Sequence, residues 1–175
     1  MKLKKLVALV SSAILAFSLV GCSIEGEENG ASSDGSLVGN GSIGFSVSTL
    51  NNPFFVTLSQ GAKDKAKEEG RDLIVVDAGD DAAKQTSDIE DLISKNISVL
   101  IVNPVDSDAV APAVKDAIAK GIKVISLDRA VNGVDVDCSI ASDNVEGARM
   151  ATEYLVSLVG KDAKVVELEG TSGSS

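Results

Sequence analysis

From residue 42 onward the apolar positions switch between two periods. Ile43, Phe45 and Val47 alternate with small residues and follow Gly39 and Gly41, the pattern of a strand. Three short β-branched runs, 72–77, 98–102 and 122–127, are apolar almost throughout. That is how strands buried on both faces read. Between them, 53–69, 81–95 and 107–120 have helical spacing. Ile89, Leu92 and Ile93 make one apolar stripe, and Val110, Val114, Ala117 and Ile118 make another. Gly70 and Gly121 follow two of these helices, where a left-handed residue ends a helix. A strand over 136–141, a helix over 145–159 and a strand over 163–168 continue the series. Repeated strand–helix units predict an α/β fold, a parallel sheet with right-handed crossovers and helices on both faces.

The start of the chain follows neither period. Residues 1–21 read as a signal: Lys2, Lys4 and Lys5 precede an apolar run over 6–20 that is short for a membrane span. The run closes on Leu19-Val-Gly-Cys22, which is similar to a bacterial lipobox. That likeness implies cleavage before Cys22 and lipid on its sulfur, with enough acyl chains for stable anchoring. Residues 22–41 are rich in Gly, Ser, Glu and Asn and read as a flexible tether.

Charge narrows the partners. The whole chain carries 16 basic and 26 acidic residues, a net −10. Removing 1–21 takes three lysines, leaving 13 against 26 and a net −13. Nucleic acid is therefore not an expected partner, because phosphate contacts need a basic face.

Candidate chemistry collects where strands end. Asn51, Asn52, Pro53, Phe54 and Phe55 follow the first strand, with Asn52 able to cap the helix and Pro53 suited to its first position. Asn103 and Pro104, then Asp106, Ser107 and Asp108, follow the third strand; Asp128 and Arg129 follow the fourth. In an open α/β sheet, ligands bind at these carboxyl ends. Amides, a carboxylate, a guanidinium and flat aromatic faces suit a neutral polyol, whose hydroxyls both donate and accept. Plainer readings stay open. The two Phe side chains could simply pack a helix onto the sheet. Asp128 and Arg129 could be a surface ion pair, and Asn103-Pro104 a turn with Asp106 and Ser107 as helix cap.

Several classes find no support. The first turn lacks the glycines of a dinucleotide site. There is no histidine and no G-x-S-x-G elbow for hydrolysis. No metal or other cofactor is expected, since only two Cys and no His are available as soft ligands. Cys138, in an apolar strand, reads as an inert buried thiol. The chain is expected to be a binding protein rather than an enzyme.

Four segments, Val47-Ser-Thr-Leu-Asn-Asn-Pro-Phe-Phe-Val56, Ile101-Val-Asn-Pro-Val-Asp-Ser-Asp-Ala-Val110, Leu127-Asp-Arg129 and Ile140-Ala-Ser-Asp-Asn144, resemble the type I periplasmic sugar-binding family, and within it the ribose-binding proteins. The resemblance runs in order from about residue 43 to the last. It implies an extracytoplasmic protein that captures a monosaccharide, ribose above all, for an ABC permease in the membrane. Other ligands it leaves open are another aldose or a furanosyl signal feeding a receptor; a repressor effector domain shares the fold but would need a DNA-binding N-terminus. By the same resemblance Asn52, Phe54, Phe55, Asn103, Asp128 and Arg129 are sugar contacts, the Phe pair walling the ring, and Ser48 and Ser142 are secondary candidates for the same role. Residues 42–142 correspond to most of a first lobe and 143–175 to the opening of a second. Ser142 and Asp143 match the first hinge crossing. The later contacts and the segment returning to the first lobe are expected to lie outside this sequence.

If Cys22 carries the anchor, Cys22→Ser should move the protein from the membrane fraction to the soluble extracytoplasmic fraction. Identical fractionation of variant and parent would refute the anchor.

Overall fold

A computed structural model describes residues 41–170, 172 and 173. The signal, the lipobox cysteine and all but the last residue of the tether lie outside the described residues. Five parallel strands form one sheet in the order β2-β1-β3-β4-β5. They are β1 Ile43–Val47, β2 Leu73–Asp77, β3 Val99–Val102, β4 Lys123–Leu127 and β5 Cys138–Ile140. The helices are α1 Pro53–Glu68, α2 Ala82–Ser94, α3 Ala111–Ala119 and α4 Asn144–Val159. In register, Ile43 pairs with Leu73 on one side and Val99 on the other. Chain order reverses at β1, so β1 and β3 flank the switch point at which ligands of open sheets are held.

Alternation along the strands sorts the core into two layers. Phe45 and Val47 pack with Phe55 of α1, beside Leu58, Leu73, Val75, Ile101 and Leu127. On the opposite face Leu100, Val102 and Val124 pack with Ile89 and Leu92 of α2 and Val114 and Ala117 of α3. Gly44 belongs to this second face because α2 approaches closely: a Cβ there would stand 2.8 Å from Ile97 Cδ1 and 3.1 Å from Leu92 Cδ1. The expected stripes and their glycine stops both form. Gly70 (φ +63°) and Gly121 (φ +80°) end α1 and α3. The amides two past each C-cap then close back, Arg71 onto Ala66 O at 2.8 Å and Ile122 onto Ala117 O at 3.1 Å.

Four expectations need correcting. The helix read as 107–120 begins only at Ala111. Pro112 has no N–H to give to the carbonyl four residues earlier, and Asp106 Oδ1 instead accepts from Asp108 N (2.9 Å) and Ala109 N (2.8 Å), holding a separate turn. The strand read as 136–141 is reduced to three exposed residues. Cys138 is exposed, not buried; β5 is an edge strand, and Cys138 pairs with Ile125 on the face that α1 covers only in part. Residues 163–168 form no strand: Val165, Val166 and Leu168 are 65%, 90% and 93% exposed, and the segment pairs with none of the five described strands. α4 forms as expected but buries no residue.

Candidate functional site

The site begins with a problem that parallel sheets share: the strands end, and their last backbone groups need partners. At the β1–β3 switch point Asn103 supplies them. It is fully buried. Its Oδ1 accepts from Ser48 N (3.2 Å) and Ser48 Oγ (2.6 Å), and its Nδ2 donates to Leu127 O (3.1 Å). One side-chain amide thus ties the ends of β1, β3 and β4. Asp77, at the end of β2, does similar work on the outer side, accepting from Leu50 N (3.2 Å) and Gly79 N (2.9 Å).

The β1–α1 turn follows from its sequence. Asn52 Oδ1 accepts from Phe54 N (2.9 Å), and Pro53 occupies the first helical position. The two aromatics then part company. Phe54 is 55% exposed, whereas Phe55 is 3% exposed and sits in the core. Their rings meet edge to face, centroids 5.3 Å apart at 69°.

Arg129 rests on Phe55. Its guanidinium carbon lies 5.3 Å from the Phe55 centroid, and Nη1 donates to Pro104 O at 2.8 Å. Cation–π attraction and a charge-assisted hydrogen bond hold one group in one plane. Beside it Asp128 has φ +65°, and Arg129 N donates back to Leu127 O at 2.7 Å, a γ-turn centred on Asp128. Its own N–H reaches Ile140 O at 2.8 Å. Among the described residues the Asp128 carboxylate meets only Arg129 Nε, at 3.9 Å. That separation is too long for a hydrogen bond, so the carboxylate keeps its acceptors available.

Phe54, Leu58, Leu127, Asp128, Ile140, Ala141 and Ser142 line an open cleft of about 260 Å³. The structure therefore brings Phe54, Asp128 and Ser142 to one cleft wall and stacks Arg129 on Phe55 next to Asp128. It places Ser48, Asn103 and Phe55 behind the surface. Phe55 supports Arg129 instead of offering a free ring face, because burying an aromatic on β1 is worth more than leaving it wet. Asp143 caps α4, accepting from Glu146 N at 2.9 Å. Gly173 O accepts from Ser107 N at 2.9 Å, bringing residue 173 to the β3–α3 turn.

Sequence reading missed Asp77 and Gln85. Gln85 is 1% exposed, and it continues the Ile89–Leu92 stripe back by one turn. A polar residue in register with an apolar stripe is the signal that could have marked it. Among the described residues no group of three His, Cys, Asp or Glu could hold a metal ion, and no helix is long and apolar enough to cross a membrane.

Residues 43–175 match the family model described as a periplasmic binding protein domain. The chain is 44% identical over 173 residues to a ribose import binding protein of Bacillus subtilis (strain 168), covering 99% of this chain and 56% of that relative. Identity is 40% over 175 residues to the ribose import binding protein of Escherichia coli (strain K12), covering 100% of this chain and 54% of the relative. The chain thus spans just over half the length of these relatives. A solved ABC transporter solute binding protein from Mycobacterium smegmatis, with bound glycerol, superposes with a TM-score of 0.72 at 37% identity, covering 78% of this chain and 47% of that one.

The γ-turn at Asp128 generates a test. A non-glycine residue held at positive φ costs stability, and glycine removes the Cβ responsible. Asp128→Gly should raise the unfolding free energy by about 0.5–1 kcal/mol in urea titrations, after the entropy that glycine adds to the unfolded chain. A loss of stability instead would show that the turn is not strained.

Proposed function

The chain belongs to the periplasmic binding protein domain family, and on that premise we propose that its strand-end rim is one jaw of a monosaccharide site, with ribose as the ligand. The observation that carries this is the paired presentation at the end of β4. The Arg129 guanidinium is fixed by Phe55 and Pro104 O, while the adjacent Asp128 carboxylate keeps its acceptors for a ligand. Neighbouring sugar hydroxyls can donate to Asp128 and accept from Arg129, a division of labour that neutral polyols satisfy and apolar ligands do not. Phe54, exposed at the same cleft, offers the sugar's C–H face an apolar wall that excludes water.

A single rim leaves the outer hydroxyls trading with solvent, and each such bond is worth little net. The opposing contacts come from a second lobe, whose first elements are residues 143–175, with Ser142 and Asp143 at the crossing. In this reading the full-length protein captures its sugar outside the cytoplasm, is held at the membrane through lipid on Cys22, and delivers to an ABC permease. The capture step makes and breaks no covalent bond.

Calorimetric titration of the full-length protein with ribose, other aldopentoses, a furanose sugar and glucose tests this directly. Ribose should bind most tightly. Asp128→Ala should weaken it by about 2–5 kcal/mol, leaving buried sugar hydroxyls without their acceptor. Phe54→Ala should cost about 1–3 kcal/mol in lost apolar contact. Both variants binding within twofold of the parent would remove these residues from the site, and heat only with another sugar would replace ribose as the ligand.

A further inference from the structure

We propose that Gln85 is a positioning residue for the ligand-facing guanidinium of Arg129, acting through the peptide unit between Pro104 and Val105. Gln85 lies in the first turn of α2 and is 1% exposed. Its Oε1 accepts from Val105 N at 2.7 Å. Its Nε2 donates to Asn103 O at 2.9 Å and to Ser46 Oγ at 3.2 Å. Three of its four hydrogen-bonding positions are thus engaged. The orientation of the amide follows from the partners: turned over, it would set NH₂ against the Val105 N–H and oxygen against the Asn103 carbonyl.

One planar amide therefore grips the chain on both sides of Pro104. A trans peptide unit points its N–H and C=O in opposite directions. Holding Val105 N–H on Gln85 aims the carbonyl of the same unit, that of Pro104, away from Gln85. That carbonyl is the one accepting from Arg129 Nη1 at 2.8 Å. Gln85 and Arg129 hold opposite ends of a single peptide unit, and each bond polarises the other. Proline adds no N–H and fixes its own φ, so little else competes to orient this unit.

An apolar side chain would fill the same space beneath the β1–β3 switch point. What the amide adds is direction. Without it the Pro104–Val105 unit is free to turn, Arg129 loses its in-plane partner, and the guanidinium is left on the Phe55 face alone. The consequence for affinity rests on the functional reading above; the consequence for Arg129 does not.

The test uses the full-length protein with Gln85→Met, which keeps length and removes the amide. Gln85→Glu restores an acceptor for Val105 and, as the buried neutral acid, one donor. In the unliganded parent, Val105 N–H should exchange with solvent as slowly as core amides. Fast exchange there, at the rate of exposed loop amides, would overturn the proposal without any variant. By NMR, Gln85→Met should restore free rotation of the Arg129 guanidinium and shift its Nε signal, while Gln85→Glu should recover the parental signal. Ribose affinity should fall about ten- to a hundredfold in Gln85→Met and recover most of that in Gln85→Glu. Arg129 signals unmoved in Gln85→Met would overturn the proposal whatever happens to affinity or stability. If Gln85→Met does not fold, the parental Val105 exchange and the Gln85→Glu spectrum decide. A parent that binds no sugar would refute the functional reading alone, leaving the exchange and Arg129 readouts to judge Gln85.

Discussion

Asn103 stands where the hydrogen-bond ladder between β1 and β3 runs out, and the rim depends on what it does there. Strands buried on both faces cannot leave their terminal groups to water. A side chain that both donates and accepts is needed between three strand ends, and Asn103 bonds Ser48 on one side and Leu127 on the other. Its own carbonyl is taken by Gln85. A buried network of this kind is rigid only when every member is satisfied. Among the described residues the one buried side-chain polar atom without a partner is Ser59 Oγ, on α1.

From that fixed rim the groups proposed to face a ligand project outward in order. Phe55 is committed to the core, and its ring gives Arg129 a floor. Pro104 gives Arg129 its lateral bond. Asp128, pushed into a γ-turn between Leu127 and Arg129, has its backbone tied to Ile140 and its carboxylate left over. Strain at such a residue persists only where the surroundings over-determine it. The arrangement separates two groups: buried polar residues that set geometry, and partly exposed ones that, on the function proposed above, are offered to a ligand.

Much of this was legible in the chain. β-branched runs and 3.6-residue stripes marked the sheet and helices because each buries a continuous apolar face. Asn52, Pro53, Gly70 and Gly121 marked boundaries because caps and left-handed stops are local chemistry. Elements that depend on a distant neighbour were read poorly. Residues 163–168 have strand composition yet pair with no described strand, and Cys138 has a core-like sequence on an edge strand with a partly uncovered face. Pro112 delayed a helix that periodicity alone would start earlier. At the candidate site, residue type marked Asp128, Arg129, Phe54, Phe55, Ser48 and Asn103 alike, and only the fold shows that Phe54 and Asp128 line the cleft while Phe55, Ser48 and Asn103 are buried behind it. Gln85 was hidden because a polar side chain on a helix ordinarily faces water, and only the fold reveals that this one faces a strand end.

On the function proposed above, the end of β4 presents a carboxylate and a guanidinium, fixed from behind, to the hydroxyls of one monosaccharide. A crystal structure of the full-length protein grown with ribose tests it most directly. Ribose hydroxyls should lie within hydrogen-bond distance of both Asp128 and Arg129, with Phe54 against the ring and Pro104 O still bonded to Arg129. Ribose bound elsewhere, or held by this rim without contact to Asp128, would contradict it.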